Sequence, residues 1–144
     1  MKSVLAGLAL VIGLAAAAPA LAADFEVKML NKGVKGAMVF EPDFLKVAPG
    51  DTVTFKATNP GHNVETVDGM LPAGVQPMDG GLGKDMTVTF TQEGVYGFKC
   101  KPHYIMGMVA LIVVGNPAGN LDAAKAVKHP GKAGKTFEEL FGGL

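Results

Sequence analysis

The sequence has no arginine, no tryptophan, two tyrosines and a single cysteine in 144 residues. Each shortage excludes something. Without arginine, and with thirteen lysines matched by thirteen acidic residues, the chain lacks the concentrated basic surface that nucleic acids demand. One cysteine cannot close an internal disulfide, so an apolar core must hold the fold, and a chain of this length can bury one as a single domain. Beyond its opening segment, no apolar run is long enough to span a bilayer.

That opening segment reads Lys2, then VLAGLALVIGLAAAA, then Pro19 and the triplet Ala20, Leu21, Ala22. Charged, apolar and small residues in this order make a secretory signal peptide, which predicts cleavage after Ala22 and an exported, soluble mature chain. A membrane anchor fits less well, because the run is short, rich in Ala and Gly, and followed by no basic cluster. Residues 23–144 keep twelve lysines and thirteen acids.

From Phe25 to about Val114 the pattern is one of short β-type runs between turns. FEVKML alternates apolar Phe25, Val27 and Met29 with Glu26 and Lys28, the period-2 signature of a half-buried strand. AMVFEP follows a turn at NKG. FLKVAPGDTVTFKAT gives two extended runs about Pro49 and Gly50, with Val53, Phe55 and Ala57 on one face. HNVETV predicts a further short strand, and Asp68 to Lys84 a long surface connection rich in Gly, Pro and Met. MTVTF, VYGFKC and the unbroken apolar MVALIVV complete seven or eight strands, the last suited to burial on both faces. Frequent turns and short runs predict an antiparallel sandwich or barrel.

After Gly115 the composition shifts to Ala, Lys and Leu. NLDAAKAVK and TFEELF are helix candidates separated by Pro130 and Gly131, with Thr136 and Glu139 spaced as a capping box. Leu121, Ala124 and Val127, then Phe137, Leu140 and Phe141, give each helix an apolar side that would pack on the sandwich. The division expected is a cleaved segment 1–22, a β-sandwich 23–115 and a helical extension 116–144.

The lone thiol sits in CKPHYIMGM. In an exported chain such a cysteine pairs between molecules, reacts, fills core, or binds a metal. Cys100 closes one strand and Met108 opens the next, so the loop between them can turn a thiolate, the His103 imidazole and the Met108 thioether toward one point. His62, after the turn NPG, is the candidate fourth group. His129 lies among charged and small residues and reads as a solvated surface histidine outside this set. Two histidines, one thiolate and a weak axial thioether form the donor set of a blue-copper electron-transfer centre. Zinc accepts His and Cys but takes thioether poorly and prefers more thiolates in structural sites. A Cys–His nucleophile would need an orienting partner and an oxyanion hole, and leaves Met108 without a role.

With EVKMLNKG, GAMVFEP, PGDTVTF, GHNVET, FKC, PHY and MGM, and with two helices after the last strand, the mature chain resembles the pseudoazurins, small bacterial blue-copper proteins of the cupredoxin family. The spacing Cys-x2-His-x4-Met is the one found in that family. The resemblance implies an all-β, cupredoxin-like Greek-key β-sandwich of about eight strands with two C-terminal α-helices. It implies one type 1 copper per chain, held by His62, Cys100, His103 and Met108. Asn63 would bond the cysteine sulfur through its backbone amide and tie the two ligand loops through its side chain, Pro102 would withhold one donor, and Met38 would lie beside the exposed imidazole edge.

The activity implied is that of a monomeric periplasmic one-electron carrier, not an enzyme, serving copper nitrite reductase and c-type cytochromes in denitrification. A copper-binding or copper-delivery protein without redox duty is the alternative. Electrons would pass at the edge of His103, within an apolar patch ringed by Lys32, Lys99 and Lys101. Two departures stand out. VDGMLPAGVQPMDGGLGKD, with Asp68 and Asp79, replaces a lysine-rich stretch of the family, and Lys101 follows the cysteine where threonine is usual.

Overall fold

Alternation in the sequence becomes alternation in burial along Asp24–Gly33 (β1), where Val27 and Met29 are fully buried and Glu26 and Lys28 are exposed. The computed structural model describes residues 13, 15–18 and 20–144. Most of the expected signal segment 1–22 therefore lies outside the described residues.

Seven further strands follow: Gly36–Glu41 (β2), Phe44–Val47 (β3), Thr52–Lys56 (β4), Glu65–Thr66 (β5), Met86–Thr89 (β6), Gly94–Lys99 (β7) and Val109–Val114 (β8). They form two four-stranded sheets with orders β2-β1-β4-β6 and β3-β8-β7-β5. Val27, Met29, Phe40, Val53 and Phe55 from the first sheet meet Phe98, Ala110, Ile112 and Val114 from the second, with Phe90 filling the space between. This is the eight-stranded sandwich that the sequence predicts.

Strand direction is where expectation and structure part. β1 pairs with β4 and β3 pairs with β8 in parallel, while the other four pairings are antiparallel. Between β1 and β4 the chain visits the other sheet as β3, and that crossover permits a parallel neighbour. Period-2 alternation reports which face is buried and carries nothing about the direction of the neighbouring strand. The run HNVETV also yields only a two-residue strand, since His62 to Val64 are buried in irregular backbone.

β8 is covered on both faces. Ala110, Ile112 and Val114 point into the sandwich core, and Val109, Leu111 and Val113 join a second core with Ala124, Ala133, Phe137 and Leu140. The latter four come from two helices, Leu121–Lys125 (α1) and Ala133–Phe141 (α2). Asn120 ties the start of this extension to β7: its Oδ1 accepts from Val95 N–H at 2.7 Å and its Nδ2 donates to Val95 O at 2.8 Å. The capping box expected at Thr136 is absent. α2 begins at Ala133, and the Thr136 hydroxyl donates back to Lys132 O at 3.1 Å from within the first turns. Among the described residues no helix is long and apolar enough to cross a membrane.

Candidate metal centre

Ladder geometry delivers the ligand loop. β7 and β8 pair from Gly94↔Val114 to Lys99↔Val109, and one more bond, Cys100 N–H to Met108 O at 3.0 Å, carries the ladder just past both strand ends. Cys100 and Met108 are thereby held opposite each other at the mouth of a seven-residue connection, and both are fully buried in the sandwich core. Between them Lys101–Met106 winds as a 3-10 turn that opens at Pro102 and closes on Gly107, whose φ of 88° lies in the left-handed region. Met108 N–H donates to His103 O at 3.2 Å, which ties the histidine to the base of the loop.

His62 arrives from the other side. It follows the Asn59-Pro60-Gly61 turn and is fully buried. Its Nε2 lies 2.7 Å from Asn31 Oδ1 on β1. The amide oxygen can only accept, so Nε2 carries the hydrogen and Nδ1 presents a lone pair. Asn31 is itself anchored, its N–H donating to Asn59 Oδ1 at 2.8 Å while Asn59 N–H donates to Met29 O at 3.1 Å.

The free nitrogen of His62 points at the other donors. His62 Nδ1 is 3.6 Å from Cys100 Sγ and 3.2 Å from His103 Nδ1, and Cys100 Sγ is 3.4 Å from His103 Nδ1. All three ligand atoms fall within 4.8 Å of one another. Burial, and then the neighbouring His103, hold His62 below the ordinary histidine range, so the imidazole stays neutral. Burial pushes the Cys100 thiol up, opposed by the backbone N–H groups of Asn63 and His103 that face the sulfur, while Glu65 pushes the same way as burial. A cation among these atoms would reverse that balance, since a coordinated thiol is deprotonated outright. Two nitrogens and one sulfur, converging in an apolar pocket with a lone pair aimed inward, fit a soft or borderline transition metal.

Asn63 joins the two approaches: Lys101 N–H donates to its Oδ1 at 2.6 Å, and its Nδ2 donates to Glu65 Oε2 at 3.1 Å. The loop and its surroundings expose large apolar side chains. Ile105 is 62% exposed and Met106 46%, both within the loop, and Leu82 is 65% exposed beside the Gly83 N–H that donates to His62 O. Met106 is thus a surface residue and Met108 a core one.

The lysines behave differently from one another. Lys101 and Lys32 are exposed, but Lys99 lies 3.5 Å from Glu65 Oε1 and over the Tyr104 ring at 4.8 Å. Lys99 is turned inward and does not belong to an open ring of charges. His129 also departs from expectation. It stacks on Phe137 with centroids 4.5 Å apart and its Nδ1 is hydrogen-bonded to the Tyr104 hydroxyl, so it is a packed residue, not a solvated one. Asn31 and Tyr104 have no spacing or pattern that marks them in the sequence; for Asn31 the only signal is its place in the EVKMLNKG string.

A family model described as copper binding proteins, plastocyanin/azurin family, matches residues 27–115. The pseudoazurin of Methylorubrum extorquens is 47% identical over 140 residues, covering 97% of this chain and 95% of the relative. That of Paracoccus pantotrophus is 52% identical over 120 residues, covering 83% of each. The refined crystal structure of pseudoazurin from Methylobacterium extorquens AM1 superposes with a TM-score of 0.80 at 49% identity, over 83% of this chain and 98% of that one. The chain belongs to the pseudoazurins, type 1 copper electron carriers within the plastocyanin/azurin family of copper-binding proteins.

Proposed function

We propose that this chain carries single electrons through the periplasm, delivering them to a copper nitrite reductase and exchanging them with c-type cytochromes in denitrification. His62, Cys100, His103 and Met108 are the proposed copper ligands. The observation that carries the assignment is the His62 Nδ1 lone pair, aimed by Asn31 at Cys100 Sγ and His103 Nδ1 within a buried pocket. Copper supplies a one-electron couple between cuprous and cupric states there.

The protein residues do the rest. Cys100 and Met108 are fixed by the β7–β8 ladder, His62 by Asn31, and the Cys100 and His62 segments by Asn63, so the donor set has little freedom to rearrange when the charge changes. Were these four side chains to hold the copper, no open position would remain for a substrate, which favours carriage over catalysis. Half-buried His103 is the proposed point of exchange, with Ile105, Met106 and Leu82 forming an apolar surface that sheds water against a partner. Cleavage after Ala22 would place Ala23 at the mature N-terminus, beside Asp51, whose Oδ1 accepts from Ala23 N at 2.8 Å.

Addition of cupric ion to the metal-free protein is expected to give an intense visible thiolate-to-copper band, lost in Cys100→Ala. A colourless wild type would overturn the ligand assignment. Rapid mixing of the reduced protein with purified nitrite reductase and with c-type cytochrome tests the partners; exchange no faster than with an unrelated redox protein would remove them.

A further inference from the structure

The ligand loop is held from inside by Asn63 and the strand ladder, but its middle, Tyr104 to Gly107, faces outward. There it meets the connection between α1 and α2. Lys132 N–H donates to Ile105 O at 2.9 Å. The Tyr104 hydroxyl is hydrogen-bonded to His129 Nδ1. Gly131, at φ +54°, lies so close that a methyl group on its Cα would overlap both the backbone oxygen and the Cγ1 of Ile105. A methyl on Gly107 would in turn stand 2.7 Å from Thr136 Oγ1 and 3.5 Å from Lys132 Cβ.

This outer layer is itself rigidly seated. Phe137 is 1% and Leu140 5% exposed against the outer face of β8, and His129 stacks on Phe137. Lys99, the last residue of β7, covers the Tyr104 ring. The loop is therefore gripped between the sandwich and a helix that is packed on the same sandwich.

We propose that the His129–Lys132 segment is a clamp that positions the metal centre, with Gly131 its determining residue because only a residue without a Cβ lets the backbone reach Ile105. This rests on the ligand assignment above. None of the clamp residues touches the donor atoms; the segment acts through Tyr104 and Ile105, which lie between His103 and Met108 in the chain. If the clamp is displaced, the two ends of the loop lose their outer support and the placement of His103 and Met108 relative to Cys100 and His62 changes.

The test compares Gly131→Ala with Gly74→Ala. Gly74 is at φ +83° in the surface connection, where an added methyl meets nothing within 4 Å. Both variants place alanine in the left-handed region, so both carry a similar backbone strain, but only one reaches the ligand loop. Two readouts are used: the relative intensities of the visible bands and the reduction potential of the copper-loaded proteins, and hydrogen exchange of the Lys132, Gly107 and Met108 amides in metal-free protein.

Gly131→Ala is expected to shift the band ratio and the potential and to speed those amides by about tenfold or more, as local opening becomes easier. Gly74→Ala is expected to leave all of them as in the wild type. Tyr104→Phe, which keeps the ring and removes one bond, is expected to give a smaller shift in the same direction. Wild-type spectra and exchange in Gly131→Ala, or equal shifts in Gly74→Ala, would overturn the clamp. If the wild type itself shows no thiolate band, the ligand assignment has failed, and the clamp then stands or falls on the exchange rates alone.

Discussion

Two polar residues, exposed Asn31 and buried Asp51, set the behaviour of this molecule one side chain at a time. Asn31 determines which nitrogen of His62 faces the pocket. Asn31→Leu would leave Nε2–H without its acceptor and free the ring to rotate or change tautomer, so copper affinity should fall by about 10–100-fold. Competition against a chelator of known affinity measures it, and unchanged affinity would remove Asn31 from the site. Asp51 is a structural counterpart. Its carboxylate accepts from Ala23 N and Ala48 N, both at 2.8 Å, and these backbone donors hold its carboxyl below the usual carboxylate range.

A carboxyl depressed in the folded chain adds stability that is fully present above its unfolded value and is lost as pH falls through the folded one. The urea midpoint of wild type should therefore exceed that of Asp51→Asn at neutral pH, with the gap closing in acid. A gap that widens in acid would contradict the assignment.

At the scale of elements, the informative object is β8. Its run MVALIVV has no polar alternation, which implies a strand covered on both sides, and the helices supply the second cover. Phe137→Ala should cost about 3–5 kcal/mol in unfolding free energy, read from urea unfolding; a loss below about 1 kcal/mol would mean that α2 is only lightly seated.

The same comparison explains what the sequence conceals. The proposed ligands Cys100, His103 and Met108 are legible because one short loop carries them, and the apolar faces of β1, β4 and β8 because burial imposes a period. Asn31 is not legible, for its partner His62 is 31 residues away and no periodicity links them. His129 misleads for the same reason: its sequence neighbours are charged and small, while its real neighbours, Tyr104 and Phe137, come from another loop and another helix. The parallel pairings escape because side-chain pattern encodes faces and not directions.

At the scale of the whole molecule, the question is what brings a redox partner to His103, the proposed point of exchange. Long-range steering needs an asymmetric field, and residues 23–144 carry twelve lysines against thirteen acids with no arginine. Near the loop, Lys99 is neutralised by Glu65, and exposed Asp68 and Asp79 occupy the connection that a lysine-rich stretch would make basic. Beside exposed Lys101, the tip presents apolar Leu82, Ile105 and Met106. Docking by such a surface depends on removing water from a small patch, an effect that salt does not screen. The second-order rate constant with copper nitrite reductase should then change by less than about tenfold as the Debye length shrinks from roughly 30 Å to 3 Å between about 0.01 and 1 M salt. Leu82→Asp, which puts a charge into the patch while leaving the visible spectrum as in the wild type, should lower that constant at every ionic strength. A steep fall of the wild-type rate with salt would instead mean that Lys32 and Lys101 suffice to steer, and that the patch acts only after encounter.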